Sequence, residues 1–409
     1  MKLLNLLQKT IEFSLYLVIF SIPISIAITN IGIGLALIFW LIKKIITKDW
    51  QFKKTSINIF LFLLLLVSLV SIINSYSLIS SLEGIQKLAK YLFLFFILVE
   101  TMDNKEKLKR LLWAGILGLS LVSIDGIFQY FTGKDFIRGY SIAGAFSYLG
   151  QIGFGRIRAS MHNPNDFACY LITFIPMVLS LFLYYAKGRK KLFLGLIFLF
   201  SFFCMFHTNF RGAGLGFLVI VILLSFIKKD LRLIIGLLIF LLILLIFLPK
   251  PLLFWLVTNP NPYDFFVEDM GRRQHWQTAI NMIKKHPFLG IGINTFSISY
   301  ARYKSAFDPF VGFYAHNSYL HLAGEIGLGG LLIFILMLLV IIKNWIKSYK
   351  KIPDKELKEI SLSVFLGWIG FLVAGILESS LQISNLAVLF WFMTAWLTSL
   401  TKLGGDGSW

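Results

Sequence analysis

The chain has 409 residues, of which 57% are hydrophobic and 14% charged, and its mean hydropathy is +0.80. No soluble domain carries that much apolar side chain on its surface, so a soluble enzyme is excluded. The formal net charge of +19 gains meaning only once the basic residues are sorted by membrane side, and no nucleic-acid partner is read from it.

Apolar stretches of roughly 20 residues, the length that crosses a ~30 Å hydrocarbon core, recur along the whole sequence. Spans are predicted at 10–29, 31–47, 57–74, 85–100, 108–131, 166–186, 191–207, 212–228, 231–248, 318–342, 358–379 and 383–401. The predicted fold class is therefore all-α: a polytopic membrane protein of about twelve helices, with 1–409 as a single transmembrane domain. No small-residue cleavage site follows Lys2, so the first span reads as retained. With the N-terminus in the cytoplasm, the even-numbered loops collect Lys43, Lys44, Lys48, Lys53 and Lys54, then Lys105, Lys107, Lys109 and Arg110. The same side receives Lys187, Arg189, Lys190 and Lys191, then Lys228, Lys229 and Arg232, and later Lys343, Lys347, Lys350, Lys351, Lys355 and Lys358. This distribution follows the positive-inside rule and places both termini in the cytoplasm.

Two long loops, 132–165 and 249–317, fall on the opposite, outer face, where function is expected. They hold Arg138, Arg156, Arg158, Arg272, Arg273 and Arg302 against the usual bias, which implies an anionic partner there. Cys169 and Cys204 both lie in apolar spans, so neither a disulfide framework nor a cysteine metal site is argued. The outer loops contain no closely spaced carboxylate pair beyond Glu268-Asp269, which disfavours a metal-dependent mechanism and leaves no cofactor expected.

His162-Asn163-Pro164-Asn165-Asp166 closes the first long loop as a turn into the sixth span, and with Arg156 and Arg158 before it could line an anion site. Arg211 stands at the short turn between the seventh and eighth spans. It reads either as a guanidinium snorkelling to water or as a planar fork for phosphate oxygens beside Gly212, Ala213 and Gly214. From Arg272 to Lys285 the pattern is an amphipathic surface helix with Trp276, Ala279, Ile280 and Ile283 on one face; Arg272 shares that face and Arg273 turns to water. Its end at His286-Pro287 is followed by Leu289-Gly290-Ile291-Gly292, a flexible turn.

His316 precedes the tenth span, with Asn317 or Ser318 as its N-cap. It reads either as a histidine hydrogen-bonded to loop backbone or as a base for a sugar hydroxyl. Glu325 inside the apolar span is costly and a site candidate, with His321 one turn before it.

These residues resemble the superfamily of O-antigen ligases and O-antigen polymerases, most closely the ligase branch. Asn163-Pro164-Asn165-Asp166-Phe167-Ala168 looks like its Asn-Pro-Asn segment, and Arg211-Gly212-Ala213-Gly214-Leu215 matches its Arg-x-x-x-Leu pattern. Gly271-Arg272 with Trp276, followed by Pro287-Phe288-Leu289-Gly290-Ile291-Gly292, resembles its long-loop signature. His316-Asn317, with Gly327-Leu328-Gly329-Gly330 after nine residues, matches its ligase motif. One departure is Thr208-Asn209-Phe210, where the family more often has Thr-x-Ser.

The resemblance implies a GT-C-like glycosyltransferase in the bacterial inner membrane with a periplasmic active site. Its donor would be an undecaprenyl-pyrophosphate-linked glycan and its acceptor a sugar hydroxyl of lipid A-core, with transfer by inversion and without a metal. His316 would be the general base, and Arg211 and Arg272 would stabilise the leaving pyrophosphate. Arg158, Asn163, Asn165, Tyr314, Asn317, His321 and Glu325 are expected to contact substrate or orient His316. The alternatives are a polymerase of the same superfamily and, from another class, a lipid-linked glycan flippase, which would place charges near the midplane of several spans.

Overall fold

The computed structural model describes residues 2–143, 147–148, 151–152, 155–247, 271–306 and 308–404. Helices α1 (Lys2–Ser21), α2 (Ile26–Thr47), α3 (Asn58–Ser71), α4 (Leu78–Thr101), α5 (Lys105–Thr132), α6 (Pro164–Tyr184), α7 (Gly188–His207), α8 (Arg211–Lys228) and α9 (Arg232–Phe247) come first. Two short helices follow, α10 (Arg272–Lys285) and α11 (Phe296–Tyr303). The chain then closes with α12 (Ser318–Lys351), α13 (Lys355–Ala374) and α14 (Ser384–Gly404). The only strand pairing among the described residues is a two-residue ladder, Ser147–Tyr148 against Gln151–Ile152.

Each predicted span is occupied by a helix, and nine of the described helices are long and apolar enough to cross a membrane. The boundary between the first two differs from expectation. The first span was placed at 10–29, but α1 ends at Ser21 and α2 begins at Ile26. Pro23 has no N–H to continue the helical ladder, and Ser25 caps α2, accepting from Ile28 N at 3.5 Å. Apolar length alone does not register a break whose flanking residues are equally apolar. The expected pair Glu268-Asp269 lies outside the described residues.

Helices α6, α13 and α14 are buried on nearly every side and form the centre of the bundle. Contact between α6 and α13 is close because a Cβ at Gly367 would sit 2.0 Å from the carbonyl oxygen of Thr173; only glycine permits that approach. Around this centre, α1, α2, α3 and α7 turn Leu6, Phe13, Ile38, Phe62 and Leu199 outward, the apolar surface a helix presents to lipid.

At one end of the bundle the basic loops are tied together by ion pairs. Lys44 meets Glu100 at 3.0 Å, Lys107 meets Glu12 at 2.8 Å and Asp103 at 3.0 Å, and Lys109 meets Glu356 at 2.8 Å. Lys105 bridges Asp354 and Glu356, both at 2.9 Å, and Lys228 pairs with Glu359. The opposite end holds α10, α11 and the loop between α5 and α6, and the candidate site lies there.

Candidate active site

Asn317 is the N-cap of α12: its Oδ1 accepts from Tyr319 N at 3.0 Å and Leu320 N at 2.9 Å. His316, immediately before the cap, is held in the left-handed region at φ 48°, a conformation a non-glycine residue adopts only where its surroundings enforce it. The enforcing contacts come from the turn between α13 and α14. Ser318 N donates to the carbonyls of Gly375 (2.8 Å) and Glu378 (3.1 Å), and Ser318 Oγ donates to Glu378 O at 2.9 Å.

The same turn supplies the partner of the imidazole. His316 Nδ1 lies 3.0 Å from Glu378 Oε1, and Glu378 is only 3% exposed. Its carboxylate also receives Ser379 N at 3.0 Å on Oε1 and Asn165 Nδ2 at 2.6 Å on Oε2. Burial pushes this carboxyl upward, but the hydrogen bonds and charge of His316, with Asn165 and the Ser379 N–H, outweigh it and hold the pKa below its ordinary value. An anionic Glu378 is an acceptor only, so His316 Nδ1 donates to it, and Nε2 is the ring nitrogen that this contact does not occupy.

Asn165 is in turn fixed from behind. Asn163 caps α6 by accepting from Asn165 N at 2.9 Å, and Arg156 Nη2 donates to Asn165 Oδ1. The Arg156 Nε donates to Thr208 O at 2.7 Å, in the turn that opens α8 at Arg211. A continuous set of polar contacts therefore runs from the α7–α8 turn through Arg156, Asn165 and Glu378 to His316. Arg158 has a different place. Its guanidinium donates to Ser141 O at 3.1 Å and His162 O at 2.8 Å and lies over the Tyr140 ring at 4.8 Å, closing the α5–α6 loop on itself. That loop is pinned by the fully buried Gln129, which accepts from Arg158 N and Ala159 N, each at 2.8 Å.

Helix α10 spans the residues expected of it, and Arg272 is buried while Arg273 is exposed, as the helical spacing requires. Its buried face differs: Arg272, His275, Thr278, Ala279 and Met282 point inward, and Trp276, Ile280 and Ile283 are only half-buried. Among these inward groups His275 is held by a hydrogen bond through Nδ1, which a hydrophobicity pattern does not register. His275 Nδ1 lies 2.7 Å from Tyr300 Oη, which donates to Asp308 Oδ2 at 2.8 Å. The His275 ring stands 5.3 Å from that of His316, and Trp276 Nε1 is 3.5 Å from His316 O, so α10 forms a wall beside the imidazole.

His321 and Glu325 form a second pair, Nε2 to Oε1 at 3.3 Å, with Glu325 Oε1 also receiving Phe296 N at 3.1 Å. The helix breaks just beyond them, at Ile326 and Gly327. Gly327 has φ 72°, and a Cβ there would lie 2.1 Å from Phe288 O. The loop 287–292 satisfies the freed backbone: Ile291 N donates to Gly324 O at 2.9 Å, Gly292 N to Glu325 O at 3.0 Å, and Leu328 N to Pro287 O at 2.8 Å. A cavity of about 160 Å³ opens beside this break, between α3, α4, α12 and α14. Tyr314, His321 and Glu325 line it together with Ser68, Lys87 and Tyr91.

The structure thus brings His316, Asn165 and Asn317 to one locus with Glu378, and Tyr314, His321 and Glu325 to an adjoining cavity. Glu378 and His275 were not among the expected site residues, and Arg156 was expected only as lining for an anion site, not as the support of Asn165. Glu378 carried a usable signal, a carboxylate at the end of an apolar stretch, which is costly unless partnered.

Fold and site together define a polytopic helical membrane protein with a histidine–carboxylate pair at one end of its bundle. Residues 196–335, about a third of the chain, match the family model described as O-antigen ligase, so this segment is similar to that family. The match contains Arg211, Arg272, His316, His321 and Glu325. No curated protein matches the chain.

Proposed function

We propose that the protein is an O-antigen ligase, which moves a glycan from undecaprenyl pyrophosphate to a sugar hydroxyl of lipid A-core at the periplasmic face of the bacterial inner membrane. The observation that carries the reading is the His316–Glu378 pair: Nδ1 is held by a buried carboxylate, and Nε2 is left as an acceptor. Nε2 takes the hydroxyl proton as the acceptor oxygen attacks the anomeric carbon, and the bond from that carbon to the pyrophosphate oxygen breaks. Glu378 stabilises the imidazolium that forms. A single displacement of this kind inverts the anomeric carbon.

Arg211 and Arg272 supply the positive charge that a metal supplies elsewhere, stabilising the departing lipid pyrophosphate. The basic loops gathered at the far end support a cytoplasmic location for that end and for both termini.

The test is transfer by the purified, reconstituted protein from an undecaprenyl-pyrophosphate-linked glycan to lipid A-core, in chelator, with His316→Ala in parallel. Product on lipid A-core that vanishes in the variant is expected. Longer lipid-linked glycan with an unmodified acceptor would make the protein a polymerase, and a requirement for divalent ions would overturn the role of the arginines.

A further inference from the structure

We propose that the cavity between α3, α4, α12 and α14 is the subsite for the acceptor's sugar, and that the donor's pyrophosphate lies on the other side of His316. This assignment rests on the glycosyl-transfer reading above and gives its two substrates separate walls of one site. The α13–α14 turn is the divider. Its Glu378 faces His316 and Asn165, while Leu381 and Gln382, only a few residues on, line the cavity. Behind Asn165 come Arg156 and the Thr208 carbonyl at the turn that opens α8 with Arg211, and neither arginine is among the described lining residues of the cavity.

Charge decides which substrate fits the cavity. Glu325 lines it and is 6% exposed, and a carboxylate there repels a second anion brought into the same cavity. Among the described lining residues Lys87 is the one lysine or arginine, and its Nζ is already 3.2 Å from Asn294 Oδ1. A pyrophosphate is disfavoured there. A sugar is favoured, because its hydroxyls donate to a carboxylate and exchange hydrogen bonds with Gln382, Ser297 and Asn294. Its apolar ring face also finds aromatic partners in Tyr91 and Trp391.

The His321 ring completes the wall. Ala315 N points at its Nδ1 from 3.5 Å, so Nε2 is the nitrogen that donates to Glu325 Oε1, and this contact holds the carboxyl group in place. A site built to receive hydroxyl donors discriminates strongly against an analogue that lacks them.

The experiment is steady-state transfer by the full chain in lipid nanodiscs, with KM measured separately for donor and acceptor in wild type, Glu325→Gln and Ser68→Phe. Gln keeps an acceptor for Phe296 N–H but removes the charge, whereas Phe at Ser68, a buried lining position on α3, fills the space. In Glu325→Gln the acceptor KM should rise about tenfold, the loss of one hydrogen bond to a charged group, with the donor KM unchanged. Ser68→Phe should raise the acceptor KM further.

A donor KM that rises instead, or two KM values that both stay put, would overturn the assignment while leaving the transfer reading intact. Absence of any transfer by wild type would remove the transfer reading itself. Should Ser68→Phe not fold, the emission of Trp391, taken as the difference between wild type and Trp391→Phe, decides the matter. It should respond to lipid A-core and not to the undecaprenyl-pyrophosphate-linked glycan, and the converse response would overturn the proposal.

Discussion

At the basic end of the bundle, Lys44, Lys105, Lys107 and Lys109 meet carboxylates at 2.8 to 3.0 Å; at the site end, Arg138, Arg158 and Lys304 meet backbone carbonyls. Arg138 Nε donates to Ile24 O at 2.9 Å, Arg158 to Ser141 O and His162 O, and Lys304 Nζ to Asp308 O at 2.7 Å and Phe310 O at 3.0 Å. A carbonyl orients a cation without cancelling its charge, whereas a carboxylate does both. The carboxylates of the site end go elsewhere: Glu378 to His316 and Asn165, Glu325 to His321 and Phe296 N. One end therefore spends its opposite charges on holding loops together. At the other, these three cations are oriented without being neutralised by the carbonyls they meet, and Glu378 and Glu325 each meet an imidazole.

The largest effect that would break this contrast belongs to Glu378→Gln. The amide oxygen still accepts from Nδ1, but its NH2 now meets the Asn165 NH2 in place of an acceptor, and the negative charge beside the imidazole is gone. Transfer should fall by about 10³-fold in kcat, within the usual span for general-base catalysis, with both KM values near wild type. Retained activity would reduce the pair to a structural contact. Stability should also change its pH response. The native carboxyl lies below its ordinary 4.5, so its contribution is fully present above that value and is lost as pH falls through the depressed native one. Melting temperatures followed downward from neutral pH should show that loss in wild type and not in the variant.

Next comes Gly327→Ala, which places a Cβ against Phe288 O in a backbone that already has positive φ. About 3 kcal/mol of stability should be lost, seen as an earlier thermal transition of the solubilised protein. The loop 287–292 should also become more accessible to hydrogen exchange, because Leu328 N and Pro287 O lose their register. An unchanged transition would mean that the helix break is not held by this contact. Smaller again is Arg211→Lys. The charge stays but the bidentate fork goes, so transfer should drop about tenfold. Full activity would leave Arg211 only its snorkelling role.

Much of the fold was legible because apolar length is a strong signal: every predicted span holds a helix, but the Pro23 break was missed, α13 ends at Ala374 rather than at 379, and α4 begins at Leu78 rather than at 85. The site was legible where a residue's local setting reveals it. Asn317 as a cap follows from its position before an apolar run, and Arg272 against Arg273 follows from a 100° turn of the helix. What sequence spacing cannot register is a partner distant along the chain. The carboxylate beside His316 is 62 residues away, not the Glu325 of the helix that follows it, which instead serves His321. Between Arg156 and Arg158, two residues apart, only the fold decides which reaches Asn165, since alternate residues of a loop share composition but not direction. The polar inward face of α10, with His275 and Thr278, is invisible for a related reason: a moment computed from apolar side chains assumes that buried means apolar.

The smallest effect tests the comparison from its other side. Lys107→Met removes the partner of Glu12 and Asp103 at the basic end, where the lysine is 15% exposed and the two carboxylates 9% and 48%. Water reaches Asp103 and screens that half of the pair, so the loss concentrates in the Lys107–Glu12 contact. About 1 kcal/mol of stability should disappear, which double-mutant cycles with Glu12→Gln would assign to the pair. Transfer should be untouched, because no hydrogen bond in this cluster reaches the described network around His316. A fall in kcat comparable to that of Glu378→Gln would show the two ends to be coupled through the bundle, and the division of labour between structural and functional carboxylates would fail. Equal stability loss with intact kcat would confirm that an ion pair of similar geometry serves packing at one end and chemistry at the other.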